Sequence, residues 1–152
     1  MHIGNYLGLV HQSEKELAEA FRQVAKEHGD EVDVYQTCQL LASWSDAHID
    51  ALLPFVQKYS EEKSKEPERL KKTIFEKTRT GSLALLRDLH DLYLLVCEVD
   101  LCWIILKQAA TGLRDKELDA TCQRLSKETE RQLSWLLTRI KSAAPQTLIV
   151  AE

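Results

Sequence analysis

Glycine and proline are scarce in this chain, five and three among 152 residues. An all-β protein turns every ten residues or so and draws on both, so a sandwich or barrel is excluded. No apolar run reaches about eighteen residues, so no segment is expected to span a membrane. The first ten residues lack the basic start and apolar core of a signal peptide, and the expected location is cytoplasmic. The formal net charge of −4 speaks against a dedicated nucleic-acid binder. None of the four cysteines forms a CxxC pair, which excludes a zinc cluster of the usual spacing, and free thiols are expected at Cys38, Cys97, Cys102 and Cys122. Met1 is the only methionine, so haem held by a methionine has no candidate ligand. There is no glycine-rich phosphate loop, and no strand–turn–helix to carry a nucleophilic serine.

What remains is a helical pattern. Hydrophobic residues make up 44% and charged residues 29%, a globular composition. A chain of this length buries roughly 68–70% of its unfolded surface and needs no metal to fold. No glycine lies between Gly29 and Gly81, nor between Gly81 and Gly112. Apolar residues recur there at steps of three and four, which predicts helices. The first spans about 3–28, with the stripe Ile3, Leu7, Val10, Glu14, Leu17, Phe21, Val24. Asp30 is placed to cap the second, which runs to about residue 59 on Val34, Cys38, Leu41, Ser45, His48, Leu52 and Phe55 and contains Pro54. The third spans about 82–112, starts on Ser82, and is apolar all round its centre, so it should be the most buried. The fourth spans about 115–142 on Leu118, Cys122, Leu125, Thr129, Gln132, Leu136 and Ile140.

Short links near Gly29 and Gly112 make two antiparallel hairpins, and a charged stretch of about 60–80 joins them as a crossover. A short helix is expected there near 68–77, with Leu70, Ile74 and Phe75 docking on the core. Its basic residues read as a solvated face. The expected fold is therefore all-α: an antiparallel four-helix bundle over 1–144, followed by a loose tail over 145–152.

The hairpins overlay at an offset of 84 residues. Thr37-Cys38-Gln39 meets Thr121-Cys122-Gln123, Leu52-Leu53 meets Leu136-Leu137, and Leu17 meets Leu101. The polar residues that interrupt the stripes obey the same offset: Glu14 with Glu98, Ser45 with Thr129, His48 with Gln132. A lone buried carboxylate is very costly, so Glu14 and Glu98 must be paired, protonated, metal-bound or near water.

This pattern resembles the ferritin-like superfamily of ferritins, bacterioferritins and rubrerythrins, over about residues 3 to 142. In that family the first and third helices each present one Glu, and the second and fourth each present Glu-x-x-His, which together hold two metal ions. The resemblance puts Glu14 and Glu98 at the single-Glu positions, with His11 or Gln12 as alternatives for the first. It puts Ser45-Asp46-Ala47-His48 and Thr129-Glu130-Arg131-Gln132 at the paired motifs. Ala47-His48-Ile49-Asp50-Ala51-Leu52 and Leu133-Ser134-Trp135-Leu136 look like the text around those motifs. Both bridging carboxylates are nevertheless replaced, by Ser45 and Thr129, and one His by Gln132. Two expectations follow. The first is an eroded di-iron site in which Ser45, Thr129 and Gln132 hydrogen-bond within a polar core cluster. The protein then has no cofactor and no catalytic role, and acts by oligomerising or through a protein partner. The alternative is one iron or manganese ion on Glu14, His48 and Glu98, with oxygen- or peroxide-related oxidoreductase chemistry.

Other polar residues read more plainly. Asp100 is expected to pair with a cation on a neighbouring helix, and His90 to be an ordinary, partly exposed histidine. Cys38 and Cys122 are expected to be small buried residues. Trp44, Trp103 and Trp135 pack between helices or form contacts between copies.

Overall fold

The computed structural model describes residues 1–60 and 74–150. Four long helices carry the fold: α1 (Ile3–Glu27), α2 (Val32–Lys58), α3 (Ala84–Leu113) and α4 (Lys116–Pro145). Strands are absent among the described residues. Each helix buries the predicted stripe: Leu7, Leu17, Phe21 and Val24 on α1; Val34, Cys38 and Leu52 on α2; Leu118, Leu125 and Leu136 on α4. Helix α3 buries Leu89, Leu92, Val96, Val99, Trp103 and Leu106. It also exposes Leu94, Leu101 and Ile104, so it is not the fully enclosed helix that its composition suggested.

Helix α1 packs against α2 and α3 against α4, forming two hairpins; α1 also meets α3, and α2 meets α4. Side-chain bonds at the two ends fix the directions. Lys58 and Tyr59, at the end of α2, bond to Asp115 at the start of α4, at 2.9 and 2.7 Å. At the other end His28, closing α1, meets Asp88 near the start of α3 at 2.7 Å. Arg139, late in α4, bonds to Asp33 and Glu31 at the start of α2. All four neighbouring pairs are thus antiparallel. The connection from α2 to α3 starts at one end of the bundle and finishes at the other, about 40 Å away for helices of this length.

Local chemistry sets the junctions. Asp115 caps α4 by accepting from the Leu118 amide at 3.1 Å. Arg114 closes α3 in the left-handed region at φ 57°, and its amide donates to the Thr111 carbonyl. Gly81 takes φ 93° before α3, a conformation that a side chain would resist. Two expected caps are not used. Glu31 rather than Asp30 occupies the N-cap of α2, with no side-chain cap bond, and Leu83 rather than Ser82 precedes α3. Residues 74–80 are irregular rather than helical, although Phe75 is buried as expected; the rest of the expected short helix, Leu70 included, lies outside the described residues. The start of the tail is ordered as a π-helical turn, Gln146–Val150.

The internal repeat needs one correction. On α2 and α4 the buried positions keep the offset of 84: Val34 with Leu118, Cys38 with Cys122, Ser45 with Thr129, His48 with Gln132, Leu52 with Leu136. On α1 and α3 the buried positions match at 82: Leu7 with Leu89, Val10 with Leu92, Leu17 with Val99, Phe21 with Trp103, Val24 with Leu106. The reason lies at the junctions. Helix α3 runs past the point matching the end of α1, and its link to α4 is Arg114–Asp115 alone, whereas residues 28–31 link the first pair. In the folded bundle Glu14 therefore corresponds to Val96, not to Glu98.

Candidate functional site

The polar residues that interrupt the stripes of α1, α2 and α4 form one interior layer. Glu14, Ser45, His48, Thr129 and Gln132 are all fully buried. Each sits where the period of its helix turns it inward. His48 Nδ1 and Glu14 Oε1 are hydrogen-bonded at 3.2 Å, the ring donating when the carboxyl is ionised. The Ser45 hydroxyl accepts from Gln132 Nε2 at 3.1 Å, while that same amide donates to the Leu41 carbonyl at 3.0 Å. Thr129 donates its hydroxyl to the Leu125 carbonyl at 3.2 Å.

Two participants were not legible as members of this layer. Trp103 crosses from α3 into its centre. The indole N–H donates to Thr129 Oγ1 at 2.9 Å, and the ring packs edge-on against His48, with centroids 6.2 Å apart and planes at 83°. The match of Trp103 with Phe21 at an offset of 82 was the signal that could have placed it. Glu128, one position off the α4 stripe, brings Oε1 to 3.6 Å from His48 Nε2 and is about a third exposed. No periodicity marks it. His48 therefore stands between a buried carboxyl on one ring nitrogen and a partly exposed carboxylate on the other.

Burial is the largest influence on Glu14 and pushes its carboxyl above the ordinary 4.5; His48 and Ser45 oppose that shift, and the nearby charge of Glu128 adds to it. Glu14 Oε2 and Gln132 Oε1 are buried without a hydrogen-bond partner.

The other candidates lie elsewhere. Glu98 is half-buried on α3, and among the described residues no hydrogen bond joins it to this layer. Gln12 is exposed and bonds to Glu16, and His11 is half-buried, which leaves Glu14 as the inward residue of that turn. His90 is exposed. Among the described residues no ion pair joins Asp100 to a cation; burial first, then the charge of Glu130, raises its carboxyl above 3.8. Asp88, fully buried, pairs with His28 and accepts from the Arg79 amide at 2.8 Å. All four cysteines are free. Burial pushes Cys38, Cys102 and Cys122 up to about 12, so at neutral pH they remain thiols, small and apolar. Trp44 and Trp135 are half-buried against the core.

The donor set does not fit a di-metal centre. The layer has one carboxylate and one imidazole, its hydroxyls are engaged, and the Trp103 indole fills the space between His48 and Thr129. Among the described residues no three His, Cys, Asp or Glu side chains form a group able to hold a metal ion. Glu14 and Glu128 approach different ring nitrogens of His48 and so cannot share one ion with it. No helix among the described residues is long and apolar enough to cross a membrane. No family model, curated protein or solved structure matches the chain.

Proposed function

We propose that this is a bundle of ferritin-like design whose metal layer has become structural, and that it acts through its surface, by self-association or by engaging a protein partner. The observation that carries this reading is Trp103. Its indole stands between His48 and Thr129, where ions would have to lie, and spends its single donor on Thr129. Gln132 donates to Ser45, and Thr129 accepts from the indole and donates to the Leu125 carbonyl, as expected for a layer that specifies the packing of four helices. The test is elemental analysis of protein purified without a metal-affinity tag, repeated after anaerobic Fe(II) loading. No bound metal in either preparation is expected. Two ions per chain would overturn the reading.

The alternative of one iron or manganese ion on Glu14, His48 and Glu98 draws support from the buried, unpartnered Oε2 of Glu14. It predicts about one ion per chain, lost in Glu98→Ala. In that case the two carboxylates would supply anionic ligands and His48 a neutral one, and the ion would bring oxygen or peroxide chemistry.

A further inference from the structure

We infer that α3 is a self-association seam, on which a second copy of this chain lays its own α3 antiparallel. This rests on the reading that the protein acts through its surface, and it names the partner. Helix α3 has a second apolar face pointing outward. Leu94, Leu101 and Ile104 are 46%, 54% and 55% exposed, and the half-buried Cys97 lies among them. Their spacing, 94, 97, 101, 104, alternates three and four, the spacing by which one helix seats against another. Helix α2 also exposes large apolar side chains, at Val32, Tyr35, Leu40 and Leu53, but these are not at successive steps of three and four.

Two features at the ends of α3 select a second copy as occupant. Leu83, just before the helix, is 47% exposed and continues the stripe. At the far end an apolar groove opens between α1 and α3, lined by Ile3, Tyr6, Ile105, Ala109, Gly112 and Leu113. An antiparallel partner set with its Leu101 opposite Leu94 brings its Gly112 level with Leu83. Each copy then offers Leu83 to the groove of the other, and the contact closes on itself around a two-fold axis. Exposed Arg87 and His90 lie on the same line between Leu83 and Leu94, Gln108 lies on it beyond Ile104, and Glu98 lies beside it, so the apolar centre of the seam is 94–104, with polar residues towards both ends. A 30-residue helix is about 45 Å long and about 10–12 Å wide, so pairing along it covers on the order of 500 Å² per copy before the grooves are added. A standard interface takes about 800 Å² from each partner. The expected product is a dimer of modest strength.

The experiment is sedimentation equilibrium on the full chain at micromolar concentration, beside the double variant Leu101→Glu, Ile104→Glu. Both side chains are half-exposed, so the variant should keep its helicity and melting behaviour. The expected result is a dimer for the native chain and a dissociation constant raised at least about tenfold in the variant. A short bis-maleimide should also join two native copies through Cys97, the one thiol that is not buried, and fail on Cys97→Ser. A native chain that stays monomeric overturns the seam and leaves surface action to a different protein partner. An oligomer unaffected by the double variant, or one that Cys97 cannot link, also overturns the seam but leaves self-association standing through another face. Metal found on loading would strike the underlying reading separately.

Discussion

At Glu14 the period of the helix and the chemistry of the residue disagree, and the period wins. The carboxyl is drawn inward with α1 and stabilised only in part by His48 and Ser45. Its folded pKa lies above 4.5, so its contribution to stability is most favourable below that pH and declines as pH rises through the raised value. Glu14→Gln keeps the shape and removes the ionisation. The variant should melt above the native protein at pH 8, and the gap should shrink as pH is lowered towards 4.5, as followed by circular dichroism; a gap that widens in acid would contradict this assignment. The same layer shows why a site is harder to read than a stripe. Ser45, Thr129 and Gln132 were legible because each interrupts an apolar series. Trp103 was hidden because an aromatic on a stripe looks like ordinary core. Glu128 was hidden because its role depends on where His48 points.

Helix boundaries depend on capping. The prediction of four helices rested on long glycine-free runs, and all four are present within a few residues of their expected ends. The caps were less legible, because Asp30, Glu31 and Ser82 all carry suitable oxygens and only the path of the chain decides between them. Asp115 is the junction residue with the most work. Although burial raises its carboxyl, bonds from Tyr59, the Leu118 amide and Lys58 together hold it below 3.8. It starts α4 and anchors the end of α2. Asp115→Ala should cost about 1–2 kcal/mol in chemical denaturation. Because the folded value is depressed, the native advantage is complete above pH 3.8 and is lost as pH falls through the lowered value. Denaturation curves of native and variant protein should converge in acid.

Across the whole molecule, two hairpins are tied at both ends. Asp88 does this at one end, bonding to His28 across the bundle and to the Arg79 amide on the incoming connection. Asp88→Ala breaks a buried pair and should cost about 3 kcal/mol. Hydrogen exchange should show the Arg79 amide losing protection first, before the helix centres open. The overall topology was legible from link lengths alone, since two short links and one long one leave few arrangements for four helices. The registry between the halves was not, because the offset of 84 holds for α2 and α4 but slips to 82 for α1 and α3. That slip has a consequence for α3 alone. A turn of two residues is about 200° on a helix. An offset of 84 would bring Leu94, Leu101 and Ile105 inward in place of Leu92, Val99 and Trp103. Helix α3 thus carries two faces able to compete for one interior. The contest is decided by polar side chains and one aromatic, since turning the helix would press Asp91, Glu98 and Gln108 into the core and put Trp103 out into water. The native register is chosen as much by what the rejected one would bury as by what it buries itself.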